Sequence, residues 1–328
     1  MLSRFTARIE RWPLARPFRI SRGVKTEAVV AVVEAHLGNK TGRGEAVPYA
    51  RYNETPESVL SQLSLLEQHR PGELTREQLA KLLPAGAARN AVDCALWDLE
   101  AQVAGCSVSE LIGQRLPSQL TTSVTISIDT PDKMADAARA VANAQLIKVK
   151  VDARPQTALE AIANAAPRAK LIVDANESWS IELLHELQPL LARLPIAFVE
   201  QPLPASDDAA LEDFQPIVPV CADESLHTTS DLDRVAQRYQ VINIKLDKTG
   251  GLTEALQLLA AARARKLGVL VGCMISTSLS IAPALQVAAA ADFVDLDGPW
   301  WLVKDREHGV HIDAGVLKVS APFLWGNQ

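Results

Sequence analysis

The chain has no apolar run approaching the roughly 18 residues that a bilayer-spanning helix needs. Arg4, Arg8, Glu10 and Arg11 break up the N-terminal stretch where a secretion signal would place its apolar region. A soluble, cytoplasmic protein is expected. Its four cysteines, Cys94, Cys106, Cys221 and Cys273, form no C-x-x-C pair, which argues against a disulfide framework and against a thiolate zinc site. Clustered positive charge is also missing, and the net charge is −6, so nothing electrostatic favours a nucleic-acid or membrane-surface partner. A small molecule is the expected partner, with homo-oligomerisation left open.

No G-x-G-x-x-G pattern surrounds Gly42 and Gly44 or Gly250 and Gly251, so these glycines read as turns. His308 and His311 flank Gly309 far from any acidic cluster, and they read as a solvent-exposed loop. The six tryptophans form no stacking stripe, and the Trp300-Trp301 pair is expected to close one end of the fold.

What is present is a large apolar content, 48% of 328 residues, enough for one barrel with a modest accessory domain. Phe5 to Ile9 alternates in polarity and Val29 to Leu37 is rich in β-branched residues, so two antiparallel strands should open the chain. Between them Arg16 to Lys25, with Pro17 and Gly23, reads as irregular. Thr55-Pro56-Glu57 combines a cap, a proline and an acid at a helix start. A second helix should run from about Ala87 to Gly105, placing Val92, Leu96, Leu99 and Val103 on one face. The first ~115 residues therefore read as an α+β unit.

From Thr121 onward eight short apolar runs alternate with helix-length, Ala/Leu-rich stretches, at 121–127, 146–152, 170–176, 196–202, 219–225, 241–247, 268–274 and 292–298. Runs apolar on both faces suit a parallel barrel, whose strands are covered inside and out. The other option, an open doubly wound sheet, would normally carry a glycine-rich phosphate loop after an early strand.

A barrel builds its active site at the C-terminal strand ends, and the polar residues of these runs fall there. The second run carries Lys148 and Lys150 at period two, so both point into the barrel. The third, fourth and fifth runs end in Asp174, Glu200 and Asp223, and the sixth supplies Lys245. The steps from Lys150 through these acids to Lys245 are 24, 26, 23 and 22 residues, one strand-helix unit each. Three convergent carboxylates repel unless a cation sits among them, and all-oxygen ligation selects a hard ion, Mg²⁺ before Mn²⁺.

The second and sixth strands of an eight-stranded barrel are diametrically opposed. Lys150 and Lys245 should therefore face each other across the mouth, with the metal-bearing strands along one side. A substrate carboxylate on the metal would hold its α-carbon between the two amines, so that one takes the proton and the other returns it from the opposite face. The cation stabilises the negative charge of the resulting enediolate. Lys150 must be neutral to act as base, and the charges of Lys148 and the metal favour that form. Lys148 could also hold a substrate carboxylate oxygen, and Lys248 is a further charge near the sixth strand.

These residues resemble the enolase superfamily, muconate-lactonizing subgroup. The K-x-K at 148–150, the D-x-N at 174–176, Glu200-Gln201-Pro202, Ala222-Asp223-Glu224-Ser225 and the N-I-K to K-T-G-G stretch match in order. Ala91 to Asp98 is similar to the capping-domain helix of that subgroup. The resemblance implies a modified TIM barrel of (β/α)7β type at 116–311. It also implies an N-terminal α+β capping domain at 1–115, completed by 312–328.

Within the subgroup the chain is most similar to the L-Ala-D/L-Glu epimerases, whose eighth strand ends in D-x-D, here Asp295 and Asp297. The resemblance implies that these acids bind a dipeptide's ammonium, and that Arg22, with Arg16 and Arg19 as alternatives, clamps a side-chain carboxylate. It places Thr125 and Cys273-Met274-Ile275 against the substrate, and one Mg²⁺ in each subunit. Many relatives carry an acid after the Met-Ile pair where Ser276 stands here, a difference that bears on the range of dipeptides. A lyase or cycloisomerase of the same superfamily is the second reading, since it shares the metal and lysines, but two acids beside a substrate without an ammonium would repel it. A non-catalytic barrel is the third. The resemblance further implies a role in recycling cell-wall peptides.

Overall fold

The computed structural model describes residues 3–327. Its N-terminal sheet has three antiparallel strands, β1 (Ser3–Ile20), β2 (Gly23–Leu37) and β3 (Lys40–Ala46). Within Arg16 to Lys25 only Arg16 and Pro17 are irregular, and the rest is regular hairpin. Phe18 to Lys25 is the tip of a long hairpin in which Phe18 pairs with Lys25 and Ile20 with Gly23. The register shifts between Pro13 and Phe18, where two prolines remove ladder donors. That irregular stretch docks on the far end of the chain through Val303 N donating to Pro13 O.

β2 is covered on both faces, and its alternation sorts the two sides. Ala31, Val33 and Ala35 join a small core with the N-terminal helices, whereas Val30 and Val32 join the main core of the barrel. The helix Ala87–Ala104 crosses β3 so closely that glycine is required there. A Cβ on Gly42 would lie 2.1 Å from Ala95 O, and one on Gly44 would lie 2.0 Å from Ala91 O. Gly42 and Gly44 are thus close-packing residues of a strand and not turn residues, whereas Gly250 and Gly251, both with positive φ, do form a turn. Thr55 caps the helix Pro56–Leu63 as expected, and Arg76–Leu82 adds a helix between the two expected ones. Val103 points to solvent, 58% exposed.

β4 (Gln119–Thr121) leads into the barrel strands β5 (Val124–Ile126), β6 (Leu146–Lys150), β7 (Lys170–Asp174), β8 (Ile196–Glu200), β9 (Val220–Ala222), β10 (Val241–Ile244), β11 (Gly268–Gly272) and β12 (Phe293–Asp295). These eight pair in parallel in sequence order, and Ser123 N donating to Val294 O, 2.8 Å, draws the first and last together. Each expected run holds one of them. Helices fill most connections, but only a 3₁₀ turn, Ala209–Glu212, separates β8 from β9. After β12 comes another 3₁₀ turn, Gly298–Trp301, in place of a helix.

β13 (His311–Asp313) pairs with β14 (Val316–Lys318), which in turn pairs with β4, all antiparallel. His311 is an exposed strand residue, while His308 lies in the preceding loop with positive φ. The chain then returns to the N-terminal unit. Trp325 Nε1 donates to Arg43 O at 2.8 Å, Gly326 N donates to Asp98 Oδ1 at 2.8 Å, and Val108 N donates to Gly326 O at 3.0 Å. None of the four cysteines is in a disulfide. Among the described residues no helix is long and apolar enough to cross a membrane.

Candidate active site

The barrel interior is stacked in layers set by the period-two alternation of each strand. Its lowest layer is apolar, with Leu146, Ile172, Phe198, Cys221, Val241 and Leu270 in one cluster. Two residues further along the same strands stand Lys148, Asp174, Glu200, Asp223, Asn243 and Gly272. Another step along β6 and β10 reaches Lys150 and Lys245. Gly272 makes room for these groups, because a Cβ there would lie 2.6 Å from Asn243 Oδ1 and 3.1 Å from Lys245 Cε. One apolar layer therefore supports a charged one, and the polar strand ends of the sequence are the upper half of a filled barrel.

Each acid meets an amine. Lys150 Nζ lies 2.5 Å from Asp174 Oδ2, and Lys245 Nζ lies 2.7 Å from Asp223 Oδ2. Lys148 is 1% exposed and reaches Asp174 at 3.1 Å, Glu200 at 2.8 Å and Asp295 at 2.8 Å. Lys248 braces the other side, donating to Asp223 Oδ1 at 2.6 Å and to Asn243 O at 3.0 Å. Asn243 in turn donates to Glu200 Oε1 at 2.8 Å.

The charge states follow from this pairing. Burial pushes the Asp174 carboxyl up, but Lys150 and Lys148 outweigh it and bring it down to about 2. Asp223 is likewise held well below the usual range by Lys245 and Lys248 against burial. For Glu200, burial and the neighbouring Asp174 outweigh Lys148 and push its carboxyl up to about 7. Burial pulls Lys248 down, whereas Asp223 overrides burial at Lys245 and pushes that amine up.

Above these residues lies a cavity of about 450 Å³. Lys148, Lys150, Asp223 and Lys245 face it, as do Thr125, Cys273, Met274, Ile275, Asp295, Asp297 and, from the hairpin tip, Arg22. Asp174 and Glu200 are fully buried and do not line it, being covered by the lysines bonded to them. Asp295 accepts from Lys148 and from Ser123 Oγ. Asp297 accepts from Thr125 N at 2.7 Å, and burial and Asp295 push its carboxyl up to about 6. Burial also pushes the Cys273 thiol well up, as suits a lining residue rather than a nucleophile. Of the arginine alternatives, Arg16 stacks on Trp300 and Trp301 outside this cavity, and Arg19 borders the same outer groove.

Some of the wall was not anticipated from the sequence. Phe18, Lys25, Tyr49, Tyr52 and Glu224 contribute to it. Ser276 bonds only within its own turn, its hydroxyl donating to Met274 O at 3.2 Å. The next residue is tied to β3, where buried Glu45 accepts from Thr277 N at 2.8 Å and pairs with Arg306 at 2.8 Å.

Among the described residues no three His, Cys, Asp or Glu side chains surround a common point as a ready cation site, and Asp174, Glu200 and Asp223 are each paired with a lysine. The donor set nevertheless fits a hard divalent ion. Lys148 bridges Asp174 and Glu200, so those carboxylates already share one positive charge. Glu200 Oε2 is buried without a hydrogen bond, although Lys148 Nζ is 2.8 Å away. Carboxylate oxygen is the ligand type such an ion prefers.

A parallel barrel with amines on β6 and after β10, acids at the intervening strand ends and a hairpin domain over the mouth defines an enolase-type architecture. The sequence matches agree. Residues 4–113 match the model of the mandelate racemase / muconate lactonizing enzyme N-terminal domain, and residues 133–321 match the enolase C-terminal domain-like model. The chain belongs to this family. It is 51% identical to the L-Ala-D/L-Glu epimerase of Escherichia coli K12, covering 94% of this chain and 97% of the relative. An enolase family member from Agrobacterium tumefaciens, solved with sodium and L-Ala-L-Glu, superposes with a TM-score of 0.95 at 44% identity, covering 98% of this chain and 99% of that one. A dipeptide epimerase from Methylococcus capsulatus, solved with Mg and L-Arg-D-Lys, gives a TM-score of 0.89 at 32% identity and covers 99% and 98%.

Proposed function

We propose that this protein is a Mg²⁺-dependent dipeptide epimerase that inverts the α-carbon of the C-terminal residue in substrates of the L-Ala-D/L-Glu type. The observation that carries this reading is the placing of Lys150 and Lys245 in one cavity, at strand positions four apart around an eight-stranded barrel. Two amines so placed reach an α-carbon from opposite sides. Lys150 removes the proton from one face and Lys245 returns one to the other, or the reverse for the other epimer.

Asp174, Glu200 and Asp223 would hold the cation, which when bound supplies positive charge to the substrate carboxylate as its α-proton leaves. Lys150 and Lys245 must release Asp174 and Asp223 for this, and the release frees both amines to face the substrate. Lys148 stays behind as a fixed charge near the carboxylate. Asp295 and Asp297 offer anionic oxygen to the dipeptide ammonium, and Thr125 fixes Asp297 through its backbone N–H. Cys273, Met274 and Ile275 shape the wall beside them, and Arg22 stands at the rim.

We assign residues 1–115 to the capping unit and 116–311 to the barrel. The docking of Trp325 and Gly326 on Arg43 and Asp98 supports the return of the C-terminal segment to the first unit. A lyase or cycloisomerase reading has no observation in its favour, since two carboxylates border the substrate space. The test is incubation of L-Ala-L-Glu with the protein and Mg²⁺ in D₂O. Formation of L-Ala-D-Glu carrying one deuterium, stopped by chelator and restored by Mg²⁺, is expected. Unchanged dipeptide, or a dehydrated or cyclised product, would contradict the reading.

A further inference from the structure

β8 and β9 carry two of the three acids assigned to the cation, yet little backbone holds their ends together. Only two residue pairs register between these strands, Val199 with Val220 and Glu200 with Cys221. The last backbone rung is Gln201 N donating to Cys221 O at 2.8 Å. In a parallel ladder the next rung would run from Asp223 N to Gln201 O. That carbonyl is turned away. Gln201 has a φ of 34°, in the left-handed region that strains a residue with a side chain. Its O accepts instead from Glu177 N at 2.9 Å, beyond the end of β7. The side chain supplies the missing rung, with Gln201 Oε1 accepting from Asp223 N at 2.9 Å and from Ser225 N at 3.1 Å. One residue thus links the ends of β7, β8 and β9, which bear Asp174, Glu200 and Asp223.

The amide does this only with its oxygen toward β9, and a buried acid on the far side enforces that orientation. Gln201 Nε2 donates to Leu203 O at 2.9 Å, Ser225 Oγ at 2.8 Å and Tyr239 OH at 2.9 Å. Both hydroxyls already direct their protons elsewhere. Ser225 Oγ donates to Asp208 Oδ2 at 2.6 Å, and Tyr239 OH donates to the same oxygen at 2.7 Å. They present only lone pairs to Gln201, and lone pairs demand an N–H. Burial, with Asp208 beside it, pushes the Tyr239 hydroxyl up, so the phenol keeps its proton. Arg238 balances Asp208 from outside, bonded to its Oδ1 and to Glu212. Gln201, Asp208, Ser225 and Tyr239 are all buried, and none of them lines the cavity.

We propose that Gln201 is a positioning residue that sets the spacing of the cation-binding carboxylates, and that Asp208 fixes its amide in the required orientation through Ser225 and Tyr239. The proposal rests on the metal-dependent reading above and extends it to side chains that touch neither substrate nor cation. An amide turned over would set its N–H groups against Asp223 N and Ser225 N, and the end of β9 would move away from Glu200.

The test is calorimetric titration with Mg²⁺ in the absence of substrate, with a melting curve for each variant. Gln201→Met, close in size but without the amide, is expected to raise the Kd for Mg²⁺ about 10- to 100-fold, the usual effect of removing a support behind a metal ligand. Tyr239→Phe is expected to raise it about 2- to 10-fold, the loss of one neutral hydrogen bond. Adding Tyr239→Phe to Gln201→Met should weaken the metal no further, because the hydroxyl acts through the amide. A merely structural role would lower the melting temperatures and leave the Kd of the folded protein unchanged. Unchanged affinity in Gln201→Met, or additive losses in the double variant, overturns the assignment. If Gln201→Met does not fold, Tyr239→Phe decides alone, a raised Kd upholding the assignment and an unchanged one overturning it. Failure of the unmodified protein to bind Mg²⁺ is a separate result, which overturns the metal-dependent reading and this assignment with it, whereas unchanged affinity in the variants leaves that reading standing.

Discussion

Lys245 Nζ donates to Asp223 Oδ2 across 2.7 Å, and Lys150 makes the corresponding contact with Asp174 one half-turn of the barrel away. In this arrangement the amines that would move protons are the same groups that neutralise the acids that would hold the cation. On the proposed reading, metal binding and liberation of the lysines would be one event.

The first prediction follows from that exchange of partners. Asp174→Asn and Asp223→Asn should each weaken Mg²⁺ binding by at least about tenfold, as loss of a charged ligand from a hard-ion site implies. Epimerisation should fall to background in both. Calorimetric titration with Mg²⁺ measures the first effect, and retention of full affinity in either variant would remove that acid from the site.

A second prediction concerns the ammonium end. Asp297, pushed up to about 6 by burial and Asp295, is ionised at neutral pH and gains a proton as the pH falls through 6. KM for L-Ala-L-Glu should therefore rise below about pH 6 while changing little above it. Asp297→Asn should raise KM by about 10- to 100-fold at pH 8 and flatten this pH dependence. N-acetylation of the dipeptide should produce a comparable loss in the unmodified enzyme.

Stability supplies a third. Asp247 is fully buried after β10, accepting from Val47 N at 2.9 Å and Asn90 Nδ2 at 3.0 Å, so it joins barrel to capping unit. Burial pushes its carboxyl from 3.8 up to about 7. The native state then holds the proton more tightly than the unfolded chain. This group's contribution is complete below about pH 4 and is lost as the pH rises through 7, a change on the order of a few kcal/mol. Asp247→Asn keeps both hydrogen-bond acceptances without the charge. Its melting temperature should vary less between pH 4 and 7 than that of the unmodified protein, as calorimetry at several pH values would show.

The barrel was the most legible part of the chain. Strands covered on both faces are nearly continuous apolar runs, and Lys148, Lys150, Asp174, Glu200, Asp223 and Lys245 interrupt those runs only where the interior turns from filled core to open mouth. The hairpin at 16–25 was not legible, because its pairing depends on docking against Asn176 and Glu224, more than 150 residues away. Lys25 was missed for the same reason. Gly42 and Gly44 were misread because a glycine required by a crossing helix looks, in one dimension, like a glycine required by a turn. The strands 311–313 and 316–318 are too short to show a period; they pair with each other, and the second also pairs with β4, nearly 200 residues earlier.

That reading of β3 gives a fourth prediction. Gly44→Ala would place a methyl 2.0 Å from Ala91 O, and the helix must move away from the sheet to admit it. A loss of about 2–4 kcal/mol in denaturant unfolding is expected, at the upper end of overpacking costs. A change below about 0.5 kcal/mol, the range of ordinary surface substitutions, would show that the helix and sheet are not in this contact.

The account depends above all on Lys150 and Lys245 addressing opposite faces of one carbon. The most direct measurement is α-proton exchange in D₂O by Lys150→Ala and Lys245→Ala, followed for L-Ala-L-Glu and L-Ala-D-Glu separately. Each variant should lose epimerisation yet exchange the proton of a single epimer, and the two variants should select different epimers. Exchange of the same epimer by both, or of both epimers by either, would contradict the opposed arrangement.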